Sequence, residues 1–165
     1  MAWIAGVDGC SFGWFAVLHE IAADGWSCYS RKTFAEILKL PENPQFIAVD
    51  IPIGLATEAI RGGRACDNLA RKTLGQPRGR SVFSSPVRAT LAHAKNYTAA
   101  SRANRESSKH GISLSKQAFA IMPKIKDVDD SMSPELQKRV YEVHPELCFY
   151  ELNGQKPIAR GKKSD

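Results

Sequence analysis

One short stretch decides the fold: residues 47–54 are IAVDIPIG, a run of small and branched apolar residues that meets Asp50 and then a proline and a glycine. The apolar run predicts a buried strand, and the proline and glycine predict the turn that ends it. A second stretch, WIAGVDGC at residues 3–10, follows the same pattern and reaches Asp8. A carboxylate at the end of a buried strand is costly unless a charged group meets it, so both strand ends are candidate sites.

The size of the chain predicts one domain over residues 1–165, because 165 residues with 43% hydrophobic content bury a sizeable core. No apolar run approaches the roughly 20 residues that cross a bilayer, and the N-terminus lacks a secretory signal pattern. We therefore expect a cytoplasmic protein with no membrane partner. The four cysteines are scattered without zinc-site spacing, which favours buried, reduced thiols.

The net charge of +6 is unevenly distributed. Residues 61–109 hold eleven Lys or Arg against two acidic residues, which gives +9, while the rest of the chain carries −3. A basic block of this kind suits a phosphate-bearing partner, because neutralising phosphates releases counterions. A solvated basic face is the alternative interpretation.

The first third of the sequence predicts three antiparallel strands, at Trp3–Asp8, Trp14–Glu20 and Gly25–Thr33, joined by short turns. TFAEILKL, at residues 33–40, predicts a short helix capped by Thr33 and stopped by Pro41. The next strand, Phe46–Asp50, then follows a crossover helix, so we expect it to lie beside the first strand and parallel to it.

The rest of the chain begins with a long insertion over residues 52–93, rich in Gly, Pro, Arg and Ser, with a helix only around CDNLARKTLG. Helices are expected near residues 95–109 and from SLSKQAFAIMPKIKDVDD, where Pro123 predicts a kink. KRVYEVHPE predicts a last strand, and PELCFYELNG a short helix or turn closed by glycine.

Asp8 and Asp50 predict a divalent-cation site if their strands are parallel neighbours. Both carboxylates would then emerge at the same carboxyl edge of the sheet, where open α/β sheets place ligands. A cation relieves their repulsion, and hard oxygen ligands without thiolates favour Mg²⁺ or Mn²⁺. In a separate interpretation, Asp50 caps its own turn and Asp8 accepts from the amides of the GCSFG turn.

A third polar cluster is predicted in VYEVHPE, residues 140–146. Strand alternation puts Glu142, His144 and Glu146 on one face, where either glutamate can complete a metal site and His144 can carry a proton. An edge strand with a solvated face gives the same pattern.

Six blocks in order resemble one known family: GVDGCSFGW, AVDIPIGL, CDNLARKTLG, SVFSSPVR, LSKQAFAIMPKIKDVD and VYEVHPELCFYELNG. Together they resemble the predicted nucleases of domain of unknown function family 429, over about residues 5–163. The resemblance implies a ribonuclease H-like α/β fold: a mixed sheet of three antiparallel strands followed by parallel strands, flanked by helices, with the basic insertion after the fourth strand.

The resemblance also implies a carboxylate site that holds two metal ions at the positions of Asp8 and Asp50. A further acid usually comes from the final helix of such folds. Relatives continue into a longer helical tail, and we expect this sequence, which ends GKKSD, to lack that tail. Three expectations follow: Glu142 or Glu146 completes the site, with Glu142 as the expected metal ligand, or the chain is a fragment whose tail was lost, or it is a shortened form that binds without cutting.

The leading functional hypothesis is a metal-dependent nuclease that hydrolyses phosphodiester bonds of DNA or RNA. Its predicted catalytic residues are Asp8, Asp50, Glu142, His144 and Glu146. The residues predicted to hold backbone phosphates are Arg71, Arg80, Arg88 and Lys124, because a guanidinium can grip a phosphate through two hydrogen bonds.

Two alternatives stay open from the sequence. One is a binding module that keeps the fold, binds nucleic acid or protein, and needs no metal. The other is an ATP-dependent phosphotransferase of the actin-like superfamily, whose acid-glycine turn VDGCSFG loosely resembles. That class normally needs two full domains around the nucleotide, for which 165 residues are too few.

Overall fold

Three antiparallel strands open the fold in a computed structural model that describes residues 2–158. They are β1 (Trp3–Gly9), β2 (Trp14–Glu20) and β3 (Gly25–Arg31), close to their predicted bounds. In register, β1 pairs β2 from Trp3↔Glu20 to Gly9↔Trp14. The turns between these strands are short, and a parallel connection needs a dozen or more residues, so the strands pair antiparallel.

Two parallel strands extend the sheet on the other side of β1. They are β4 (Phe46–Val49) and β5 (Val140–Glu142), and the sheet order is β3-β2-β1-β4-β5. Val7 is in register with Val49, and Val49 is in register with Glu142. The predicted parallel pairing of the first strand with the fourth is therefore confirmed, and the chain has an α/β fold with a five-stranded mixed sheet.

Helix α1 (Phe34–Ile37) connects the antiparallel strands to β4 and begins where the sequence predicts. The Thr33 hydroxyl accepts from the Glu36 N–H, and the Glu36 carboxylate accepts from the Thr33 N–H at 3.0 Å. This capping box satisfies two donors that a helix start otherwise leaves unpaired. The helix is a single turn that buries Phe34 and Ile37.

Helix α5 (Met122–Ser131) packs against the buried face of the sheet, and its residues Ile125 and Val128 are buried. Asp127 accepts from the indole N–H of Trp14 at 2.7 Å and from the backbone N–H of Phe34 at 2.9 Å. The carboxylate of Asp127 on α5 thus joins β2 to the start of α1. The rings of Trp14 and Phe34 meet edge to face at 5.3 Å.

The opposite face of the sheet is exposed. Large apolar side chains from all five strands reach solvent there: Ile4, Phe15, Trp26, Phe46 and Tyr141. The rings of Phe46 and Tyr141 stack at 4.7 Å, and His19 stacks on Trp26 at 4.1 Å. The strand alternation therefore separates a buried face from an exposed one along β1, β2 and β4.

The second part of the chain is helical. Its helices are α2 (Ala65–Leu74), α3 (Tyr97–Glu106), α4 (Lys116–Ala120) and α6 (Pro145–Leu152), with 3-10 turns at Arg78–Ser81 and Arg88–His93. A small core of Ala70, Leu74 and Val82 is covered by Leu147 and Tyr150. The predicted kink near Pro123 appears as a break between α4 and α5 at Ile121.

Two sequence expectations were wrong. The last strand ends at Glu142 and does not reach Glu146, whereas the short helix predicted in PELCFYELNG is confirmed as α6. That helix begins at Pro145 with His144 as its N-cap, because proline lacks an N–H and suits the first helical position. The four cysteines are free, as expected, but all are exposed, since composition does not tell which face of a strand or helix is covered.

The chain divides into two compact units. The first comprises residues 1–54 and 123–143 and contains the sheet; the second comprises residues 55–122 and 144–165. No helix within residues 2–158 is both long and apolar enough to cross a membrane.

Candidate functional site

The turn between β1 and β2 closes on its own backbone. The N–H of Cys10 donates to the Gly13 carbonyl at 2.9 Å, and the N–H of Gly13 donates to the Cys10 carbonyl at 3.2 Å. A side chain at Gly13 would collide with the backbone carbonyl of Arg31, so glycine is required by close approach. These turn amides are satisfied without the carboxylate of Asp8.

Asp8 presents its side chain at the carboxyl end of β1. It is exposed, and within residues 2–158 its carboxylate has no hydrogen-bond or ion-pair partner. The interpretation in which Asp8 caps the turn is therefore wrong for this structure. A strand-end carboxylate that supports no local structure remains available for an external ligand.

Asp50 lies next to Asp8 in the parallel register. Val7 pairs with Val49, and the N–H of Asp50 donates to the Val7 carbonyl at 3.2 Å, which carries the ladder one step past β4. Both aspartates come one residue after a buried valine, so alternation puts both on the face opposite the core, where Asp8 is exposed and Asp50 is half-buried. Adjacent parallel strands are about 4.8 Å apart, which brings the two carboxylates to one edge.

Lys124 reaches the same end of the sheet from α5. Its aliphatic carbons lie 3.4 Å from the position that a side chain on Gly9 would take, and its ammonium donates to the Gly13 carbonyl. The ammonium also lies 4.8 Å from the centre of the Trp14 ring. The turn, the ring and the glycine thus fix a cation at the end of β1, on the face of the sheet opposite the Asp8 side chain, since Gly9 follows Asp8 in the strand.

Glu142 ends β5 at the same edge but on the other face. Its register partner is the buried Val49, one residue before Asp50. Its carboxylate accepts from the N–H of Ile53 at 2.8 Å, which ties the loop after β4 to β5. The structure therefore gives Glu142 a role in holding the segment that follows Asp50.

His144 and Glu146 belong to the second unit, at the start of α6, and not to a strand face with Glu142. The Nδ1 of His144 accepts from the N–H of Glu146 at 3.3 Å, so a neutral His144 carries its proton on Nε2. Glu146 is buried and pairs with Arg78 at 3.4 Å. Its carboxylate neutralises a neighbouring guanidinium in the second unit.

The arginines predicted to hold phosphates also lie in the second unit. Arg80 and Arg88 are exposed. Arg71 is half-buried and fixed, since its guanidinium donates to the Val82 carbonyl at 2.8 Å and to the Asn68 side chain at 3.1 Å. Arg80 and Arg88 are therefore surface cations, whereas Arg71 is an ordered cation that lines a cavity of the second unit.

The donor chemistry fits Mg²⁺ or Mn²⁺ at Asp8 and Asp50. Within residues 2–158, no group of three or more His, Cys, Asp or Glu side chains is arranged to hold a metal. Mg²⁺ is usually held by one or two carboxylates, with waters and substrate phosphates as its other ligands. Two neighbouring strand-end aspartates satisfy that requirement.

The sequence interpretation missed the anchoring of Lys124. No local signal in GCSFG reveals this anchoring, because a Cβ on Gly9 would make only ordinary van der Waals contact with Lys124, and the close approach at Gly13 is to the backbone of Arg31. Which side chain approaches was not readable, since it comes from a helix more than 110 residues further along the chain.

Comparison with known proteins gives one match. A family model described as "Protein of unknown function (DUF429)" matches residues 6–165. No curated protein and no solved structure matches the chain.

Proposed function

The chain belongs to the DUF429 family, whose description names no activity, and from its own residues we propose that it is a metal-dependent nuclease that hydrolyses phosphodiester bonds of DNA or RNA. One observation carries the proposal. Asp8 and Asp50 follow in-register residues of two parallel strands, at one edge and on one face of the sheet. Two like charges at such positions repel, which is costly in a fold that gains nothing structural from Asp8.

Asp8 and Asp50 hold Mg²⁺ or Mn²⁺ in this proposal. When bound, the ion activates water and stabilises the charge on the phosphate that is attacked. The part of Asp8 and Asp50 themselves would be to hold the ion at the carboxyl ends of their strands. Glu142 positions the loop after Asp50 through the Ile53 N–H.

Lys124 supplies the nearby positive charge. Its ammonium is ordered by the Gly13 carbonyl and the Trp14 ring. An ammonium has three donors, so contact with one carbonyl leaves capacity for a non-bridging phosphate oxygen. We assign Lys124 to phosphate binding at the strand end.

Nucleic acid is the substrate class because of the charge distribution. The +9 carried by residues 61–109 lies in the second unit, which includes the exposed Arg80 and Arg88. Such a block attracts a polyanion over distances of about 10 Å at ordinary salt. The expected binding is strongly salt dependent.

The proposal includes a ribonuclease H-like architecture and a cytoplasmic location. The architecture is supported by three antiparallel strands followed by two parallel ones, in the order β3-β2-β1-β4-β5. It is also supported by the aspartates at the ends of the first and fourth strands. The architecture alone does not imply nuclease chemistry, so the functional argument depends on the carboxylates.

Cleavage assays test the proposal. Labelled single-stranded and branched DNA and RNA are incubated with Mn²⁺ and with wild type, Asp8→Asn or Asp50→Asn. We expect both variants to lose cleavage. Asp24→Asn is the matched control, because Asp24 lies in the opposite turn at φ 51, a conformation that asparagine tolerates. Retained cleavage in Asp8→Asn would exclude this mechanism, and metal-independent binding without cleavage would favour the binding module.

A further inference from the structure

The second unit contains a cavity that the nuclease proposal does not use. Its volume is about 360 Å³. Small-molecule sites span about 300–1,000 Å³, so this cavity accommodates one small ligand and excludes a helix or duplex. Its polar and aromatic wall includes Glu58, Arg71, Phe83, Ser84, Asn104 and Ser113.

The cavity walls are held by buried hydrogen bonds. Asn104 on α3 is 4% exposed; its side-chain oxygen accepts from the Val87 N–H at 3.2 Å, and its nitrogen donates to the Ile112 carbonyl at 2.9 Å. One amide therefore ties together two loops that both contribute to the wall. This preorganisation lowers the cost of ordering a bound ligand.

The charges of the wall are paired unequally. Arg64 is matched by Asp67, with 2.7 Å between nitrogen and oxygen. Arg71 is anchored by a carbonyl and an amide, and within the described residues no carboxylate pairs with it. Glu58 likewise has no cationic partner within residues 2–158. The cavity thus presents one positive and one negative group, each half-buried and available to a ligand.

The remaining wall is both aromatic and hydroxylated. Phe83 is half-buried, beside apolar Val82 and Val87. Ser84 and Ser113 are exposed and provide hydroxyl groups. A ligand that uses all of these groups has an anionic part, a planar apolar part with N–H donors, and hydroxyls. An inorganic anion uses only Arg71 and leaves the apolar wall empty.

We propose that this cavity binds one nucleotide unit, with the phosphate at Arg71, the base against Phe83 and an amino edge of the base at Glu58. Carboxylates accept hydrogen bonds from base amino groups, and bases stack on aromatic side chains. The serine hydroxyls contact the sugar. The ligand is either a free nucleoside monophosphate or an unpaired nucleotide within a strand, which share this chemistry.

Calorimetric titration with AMP, GMP, CMP and UMP in EDTA tests the proposal on the full chain. We expect Arg71→Met to weaken binding by at least about tenfold, because a charge-assisted contact is lost. Lys72→Met removes the same charge from the next residue, which is exposed and outside the cavity, and should change affinity by less than about twofold. Equal losses in both variants, or no binding to wild type below about 1 mM, would overturn the proposal.

Glu58→Gln gives a second test if Arg71→Met fails to fold. A neutral amide can both donate and accept, so the variant should lose preference for bases with an amino group over uracil. An unchanged order of base preference would count against the nucleotide. If a short single-stranded oligonucleotide displaces AMP, the ligand is an unpaired nucleotide within a strand. If the oligonucleotide does not displace AMP, the ligand is a free nucleoside monophosphate.

The test is independent of the nuclease proposal. EDTA removes divalent metal, and Asp8→Asn should bind mononucleotides as wild type does. If wild type binds no mononucleotide, the cavity proposal fails and the proposal for the carboxylate site is unaffected. If Asp8→Asn loses cleavage but still binds mononucleotides, the two functions are separate.

Discussion

Asp8 and Asp50 are neighbours in the register of two parallel strands, each one residue beyond the Val7–Val49 pair. Because both are negative, their proximity opposes folding when no cation is present. We expect Asp8→Asn in EDTA to be as stable as wild type, or up to about 1 kcal/mol more stable. Added Mn²⁺ should stabilise wild type and not the variant, since a ligand stabilises the state that binds it. Thermal unfolding with and without Mn²⁺ measures both effects.

Lys124 should contribute to substrate binding. Lys124→Met keeps an aliphatic chain against Gly9 but removes the ammonium beside the Gly13 carbonyl. We expect KM for a DNA or RNA substrate to rise by about tenfold. Lys126→Met is the control on the same helix, because Lys126 pairs with Asp130 at 2.7 Å. Equal effects of the two substitutions would show that only general charge matters.

Glu142 should act as a positioning residue for the loop after Asp50. Glu142→Ala removes the acceptor of the Ile53 N–H, so that amide should exchange with solvent faster and cleavage should fall by about tenfold. Glu142→Gln keeps an acceptor and should restore slow exchange and most of the activity. Slow exchange of the Ile53 amide in Glu142→Ala would contradict this role.

Asp127 should be a main determinant of stability in the first unit. It accepts from Trp14 and from Phe34, and hydrogen bonds to charged groups contribute about 1.5–3 kcal/mol each. Asp127→Ala should therefore lower the free energy of unfolding by about 3–6 kcal/mol. Asp130→Ala, which removes an exposed pair on the same helix, should cost less than about 0.5 kcal/mol. Urea unfolding compares the two, and equal losses would contradict the bridging role.

The capping box should make stability depend on pH. The Thr33 N–H, aided by the Lys32 N–H, lowers the pKa of Glu36 in the folded chain. A lowered folded pKa means that the contribution is present above the unfolded pKa and is lost as pH falls through the folded value. Glu36→Gln should reduce the loss of stability from about pH 5 downward. Urea unfolding between about pH 3 and 7 measures this dependence; identical profiles for wild type and variant would contradict it.

The first four strands could be predicted from the sequence because their signals are local. Apolar runs ended by turn residues define β1 and β4, and Thr33 with Glu36 defines the start of α1. The prediction that β1 and β4 are parallel neighbours, which brings Asp8 beside Asp50, followed from the connection through that helix. Those local rules were sufficient to place the two carboxylates.

The positions of Glu142, His144 and Glu146 could not be predicted in the same way. Alternation in VYEVHPE predicted a strand. In the structure Pro145 takes the first position of α6 and His144 caps that helix, so the alternation does not continue past the strand. The cavity was also unpredictable, because Glu58, Arg71 and Phe83 are brought together by tertiary packing. Composition identified Arg71 only as one cation in a basic block.

The most direct measurement is anomalous diffraction from crystals soaked in Mn²⁺. It asks whether Asp8 and Asp50 together hold a divalent cation. We expect an anomalous peak within coordination distance of both carboxylates in wild type and its loss in Asp8→Asn crystals. Wild-type crystals with no peak between these two residues, or an unchanged peak in the variant, would contradict the claim.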